Sequence, residues 1–142
     1  MPPDPIPGRS ELLPGASGPA YNEAAFRYFL AADRSRAARS RRVVILVLAS
    51  VRASDGHSAT LNQNTAVALF TGLAACVREV DFVGWFYEGR VGGAVLTQGD
   101  GSLYDRAAIS SRILTTLRAS LPSDTAKHLK VRVIRLGGRT EQ

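Results

Sequence analysis

Few side chains in this 142-residue chain invite a chemical reading. Asp55-Gly56-His57 sets a carboxylate and an imidazole two residues apart, a pairing that could hold a metal or move a proton. No second His or Cys stands at ligand spacing, and the other histidine, His128, is far along the chain. The segment therefore reads as a turn. Ser50, Ser54 and His57 lack the elbow motif that lifts a serine out as a nucleophile. Cys76 falls near the apolar side of a helical stretch and reads as core. As the one cysteine it can form no internal disulfide, which agrees with a reducing, cytoplasmic compartment.

Composition narrows the classes further. Apolar residues make up 45% and charged residues 21%, ordinary for a folded domain. The longest apolar run, Val43 to Ala49, is far too short to span a bilayer. The chain does not open with a basic stretch followed by an apolar core, so neither a secretory signal nor a membrane span is expected. The formal charge is +6, which permits attraction to nucleic acid, anionic lipid or an acidic partner. Arg34, Arg36, Arg39, Arg41 and Arg42 concentrate that charge. A solvated helix face is the plain reading of such a run, and a phosphate or partner contact is the alternative.

Residues 1–20 carry six of the seven prolines and few large apolar side chains, the pattern of a flexible leader. Asn22 can cap a helix that runs to about Ser40, with Ala25, Phe26, Phe29, Leu30 and Ala37 near helical spacing. Val43 to Ala49 is continuous, β-branched and apolar, as in a central strand. Asp55-Gly56 signals a turn, and Ala59 to Val80 reads as a helix with Leu61, Val67, Leu69, Phe70, Leu73 and Val77 inward. Asp81 to Phe86 reads as a strand, Tyr87 to Arg90 as a tight turn and Val91 to Thr97 as its partner. Tyr104 to Leu121 is a second helix stopped by Pro122, and Leu129 to Leu136 alternates as a half-exposed strand. The order predicts an α+β, ferredoxin-like βαββαβ sandwich, with both crossover helices on one face of a four-stranded antiparallel sheet. The expected organisation is a leader (1–20), a lead-in helix (21–42), the domain (43–137) and a tail (138–142).

The stretch from Arg78 to Thr97 resembles the central hairpin of GGDEF domains, the diguanylate cyclases of the wider nucleotide cyclase superfamily. Arg78, Asp81, Val83 and Gly84 follow the phrasing that precedes the signature turn, and Gly92-Gly93-Ala94-Val95-Leu96 matches the small, apolar strand after it. An ungapped match puts Tyr87, Glu88, Gly89 and Arg90 on the Gly-Gly-Asp-Glu positions and Val91 on the Phe. The resemblance implies that two glycines admit substrate to the backbone while the acidic pair holds metal and stabilises charge. Here Tyr87 and Glu88 crowd that approach, and Arg90 puts a cation where a carboxylate is needed. A further metal-binding Asp implied at the end of the first strand is missing from Leu48-Ala49-Ser50-Val51-Arg52. Gly92-Gly93 reads as strand glycines that admit a close-packed helix, not as a displaced signature.

The resemblance thus implies a degenerate, catalytically inactive GGDEF-like domain with a regulatory or protein-interaction role, in a bacterial signalling or exopolysaccharide setting. A protein partner or self-association is expected, and nucleotide binding without turnover is allowed for. Arg52, Arg78 and Arg90 are then the phosphate candidates, since a guanidinium fork suits phosphate. No catalytic residue, metal or cofactor is expected. The enzymatic alternative is a divergent cyclase that uses Mg²⁺, with Asp81, Glu88 and Asp100 as its acids. A third reading takes Trp85, Phe86 and Tyr87 as base-stacking aromatics on an open sheet face, as in RRM domains. The RRM phrase on the third strand has aromatics that Arg90-Val-Gly-Gly-Ala-Val-Leu96 lacks, so nucleic-acid binding is not expected. By strand alternation Phe82 and Phe86 share one face, and Trp85 and Tyr87 the other.

Overall fold

The computed structural model describes residues 20–40, 42–78, 81–98 and 105–136. The leader up to residue 19, the tail from 137, Arg41, Asp100 and Tyr104 lie outside the described residues. The elements run α1 (Glu23–Ser40), β1 (Val43–Val51), α2 (Gln63–Ala75), β2 (Phe82–Tyr87), β3 (Val91–Gln98), α3 (Arg106–Ser120), α4 (Ser123–Ala126) and β4 (Leu129–Leu136). The four strands form one sheet in the order β2-β3-β1-β4, and every neighbouring pair is antiparallel. This is the α+β, ferredoxin-like βαββαβ plan that the element order predicts.

Local chemistry explains the boundaries. Asn22 Oδ1 accepts from the Ala25 N–H at 2.9 Å, which satisfies an otherwise unpaired donor in the first turn of α1. The second helix starts later than the apolar pattern suggests, because the cap is Asn62, whose Oδ1 accepts from Thr65 N–H at 2.8 Å. Leu61 is held in the preceding loop, its N–H donating to the Gly89 carbonyl at 2.8 Å. That helix also ends earlier, at Ala75 and not at Val80. Asp105 caps α3 through the Ala108 N–H. The short α4, absent from the sequence expectation, fills the step between Pro122 and β4.

Even and odd positions of β1 face different layers. Val43, Ile45, Val47 and Ala49 join Leu69, Phe70 and Leu73 of α2, Ile113 and Leu117 of α3, and Trp85 in one buried cluster. Trp85 is fully buried and meets Phe70 edge-on, with ring centroids 4.8 Å apart. Val44 and Leu46 face the other way, into a second cluster with Phe26, Leu30 and Ala37 of α1 and Val95 of β3. The crossover helices do share one face. The lead-in helix α1 lies on the opposite face and is part of the same folded unit. Phe82, which an RRM-like platform would leave open, sits edge-on against the rings of Tyr21, Phe26 and Phe29.

The strand glycines exist for this double cover. A Cβ on Gly93 would come within 2.8 Å of the Phe26 ring on the α1 side, and one on Gly92 within 2.9 Å of Leu69 on the α2 side. Their reading as close-packing positions matches the structure. The chain also touches the sheet before α1 begins: Tyr21 forms a parallel bridge to Gly84, with Tyr21 N–H donating to the Val83 carbonyl and Trp85 N–H to the Tyr21 carbonyl.

Candidate functional site

The β2–β3 turn is tight. Arg90 N–H donates to the Tyr87 carbonyl at 3.0 Å, and Gly89 takes a φ of +78° at the third turn position, where a side chain would be strained. The ladder shifts register between Trp85 and Tyr87, so Phe86 is the extra residue of a β-bulge. The bulge overturns the expected alternation. Trp85 enters the α2–α3 core, but Tyr87 does not share its side; it stands beside Phe86, 51% exposed, their rings 5.0 Å apart. The Arg27 guanidinium lies over both rings, at 4.2 Å and 4.8 Å from their centroids, and donates through Nε and Nη2 to the Phe86 carbonyl.

Glu88 is committed to α1. Its Oε1 accepts from the Glu23 N–H at 2.9 Å, and Glu23 Oε1 accepts from the Glu88 N–H at 2.8 Å. A carboxylate at the first residue of a helix meets both an unpaired N–H and the positive end of the helix dipole. Arg27 pairs with Glu23 one turn on, at 3.3 Å. The turn is fastened on its other side by the Gly89 carbonyl and Leu61. The β2–β3 turn is thus a joint between α1, the hairpin and the loop before α2.

Asp81 is committed as well. Its side chain is 1% exposed; Oδ2 accepts from the Arg78 N–H at 2.9 Å and Oδ1 from the Thr97 N–H at 3.2 Å. Arg78 pairs with Asp81 at 3.4 Å and donates to the Thr97 carbonyl. That cluster lies at the far end of the hairpin from the turn, so the structure does not bring Arg78 together with Arg52 or Arg90. Asp55 Oδ1 accepts from the His57 N–H at 2.9 Å, and Gly56 has a φ of +88°, as the turn reading of that loop requires.

Between the end of β1 and the hairpin turn lies an open cavity of about 210 Å³. Leu48, Ser50, Phe86, Tyr87 and Val91 line it, with Arg52, the Gly56–Ser58 loop, Lys130 and Arg132. No carboxylate is among these residues. Arg90 borders an adjoining hollow on the other flank of Tyr87, which shares His57, Ser58, Tyr87 and Val91 with the first and is also lined by Glu23 and Glu88. Sequence reasoning finds Arg52 but misses Lys130 and Arg132. Register is what gathers them: Lys130 lies across from Ser50, and Arg132 across from Leu48. Their even parity on an alternating strand, opposite the α2–α3 core, is the one sequence signal that could have marked them. Among the described residues, no group of three or more His, Cys, Asp or Glu could hold a metal ion. No described helix is long and apolar enough to cross a membrane.

No family model matches the sequence, and no curated protein does. Solved structures do. The GGDEF domain of FimX from Pseudomonas aeruginosa superposes with a TM-score of 0.63 at 14% identity, covering 95% of this chain and 83% of that one. The GGDEF domain of DgcB from Caulobacter crescentus, solved in complex with c-di-GMP, gives 0.60 at 9% identity, over 95% and 78%. A sensory box/GGDEF family protein from Caulobacter crescentus gives 0.59 at 16% identity, over 89% and 82%. At such identities the likeness is one of fold, and in its fold this chain is a GGDEF-like domain.

Proposed function

We propose that this chain is a catalytically inactive GGDEF-like domain with a regulatory, protein-interaction role. The observation that carries the reading is the reciprocal Glu23–Glu88 exchange. It ties down the acidic side chain of the signature turn by joining it to the N-terminus of α1. Asp81, the other described acid of the enzymatic alternative, is held in hydrogen bonds at the distant end of the hairpin. The residues around the cavity are cationic where two-metal phosphoryl chemistry needs carboxylates. The outer side of α1, where Tyr28 is 68% exposed, is the proposed partner surface. A neighbour in fold binds c-di-GMP, and ligand binding without turnover is part of this proposal, in a bacterial signalling or exopolysaccharide setting.

The test is incubation of the purified chain with GTP or ATP and Mg²⁺ or Mn²⁺, followed by chromatography of the nucleotides. The expected result is unchanged substrate. A cyclic product that disappears in Glu88→Ala would overturn the reading in favour of a divergent cyclase.

A further inference from the structure

We infer that Arg52, Lys130 and Arg132 form a metal-independent binding site for a small phosphorylated anion of the diphosphate class. The inference deepens the regulatory reading, on which it rests for its biological role. Its chemistry stands on three observations.

The first is charge without compensation. Lys130 and Arg132 are two apart on an edge strand, so they project from one face about 7 Å apart. Arg52 lines the same cavity. Among the described residues no ion pair engages these three side chains. Three cations so placed repel one another, and an anion between them relieves it. Ser50 and Ser58 add hydroxyl donors at the cavity wall.

The second is the shape of the hollow. The 210 Å³ cavity adjoins a second of about 240 Å³, lined by Arg52, Lys127, His128, Leu129 and Lys130. Arg52 and Lys130 line both. Each lobe is smaller than the ~300–1,000 Å³ typical of sites for drug-sized ligands. A pair of small lobes with two cations in common fits a ligand with two linked anionic groups.

The third is preorganisation. Arg52 N–H donates to the His128 carbonyl at 2.8 Å, which fixes the end of β1 to the start of β4. Arg52 also bridges Ser58, and Ala53 N–H donates to the His57 carbonyl at 2.8 Å, so the loop that walls the cavity is itself bonded shut. The backbone that carries the cations needs no rearrangement to receive a ligand.

The experiment is calorimetric titration of the full chain, in EDTA, with inorganic diphosphate, orthophosphate, ADP and GDP. Diphosphate is expected to bind one per chain and more tightly than orthophosphate. Lys130→Ala and Arg132→Ala should each weaken it about tenfold, Arg132→Glu should abolish it, and Arg78→Ala, at the far end of the hairpin, should leave it unchanged. Unaltered melting curves establish that the variants are folded. Equal affinities for diphosphate and the nucleoside diphosphates identify the free anion as sufficient. Tighter ADP or GDP binding that Tyr87→Ala removes identifies a nucleotide, with its base on that ring; both results support the site. No heat from any probe, binding only when Mg²⁺ is added, or binding indifferent to Lys130 and Arg132 overturns it. Turnover of GTP in the chromatographic assay would defeat the inactive reading and leave this site standing. Absence of binding would defeat this site and leave the inactive reading standing.

Discussion

The two faces of the sheet are built to different specifications. The face under α2 and α3 is apolar along the whole length of β1, closed by Trp85 and Phe70. The opposite face changes character along its length. Beneath α1 it is apolar, with Val44, Leu46, Ile134 and Leu136 against Phe26 and Leu30; beyond the start of α1 it turns into Ser50, Lys130 and Arg132. On β4 the even positions read Lys130, Arg132, Ile134, Leu136, so one strand carries the transition. One face secures the fold. The other is shared between an added helix and an open, cationic hollow.

Substitutions on both faces can break or sharpen this contrast. Trp85→Ala should cost the most, about 3–5 kcal/mol for a fully buried aromatic, and should lower the stability of the whole domain in denaturant melts. Phe26→Ala removes an equally buried ring, but from the α1 side alone. It should cost about 3 kcal/mol and raise hydrogen exchange in α1 before the strands respond. Equal protection loss in α1 and β1 would mean that the two faces are one cooperative layer. Gly89→Val should cost about 1–2 kcal/mol from backbone strain alone, since an added Cβ there meets nothing within 4 Å. Gly89→Asn should cost clearly less, and equal melting temperatures for the two would contradict the left-handed turn. The smallest effect belongs to Glu88→Gln, about 0.5 kcal/mol for an exposed charge-assisted hydrogen bond. A double-mutant cycle with Glu23→Gln should show coupling between them, and strict additivity would leave the exchange without energetic weight.

Much of the protected face was legible in the sequence. The continuous run of β1 announced a central strand, Leu129 to Leu136 matched β4 end to end, and Glu88-Gly89 marked the turn. These follow from local chemistry and periodicity. The shared face was harder to read. Nothing in the spacing of Phe26, Leu30 and Ala37 says which side of a sheet they will meet, because either side offers apolar residues. The Phe86 bulge, invisible to strict alternation, moved Tyr87 to the cavity. Lys130 and Arg132 become neighbours of Arg52 only through the β1–β4 pairing, a contact between segments nearly eighty positions apart.

The short bridge at Tyr21 has a consequence for how copies of this domain meet. Unpaired border strands invite edge-to-edge pairing with a strand of another copy, a common route to insoluble polymers. Here the border at β2 is already occupied by residue 21, while the border at β4 displays lysine and arginine, which repel a like neighbour. One margin is capped at its middle by the protein's own backbone and the other carries charge, so each border of this sheet has its own safeguard against a second copy.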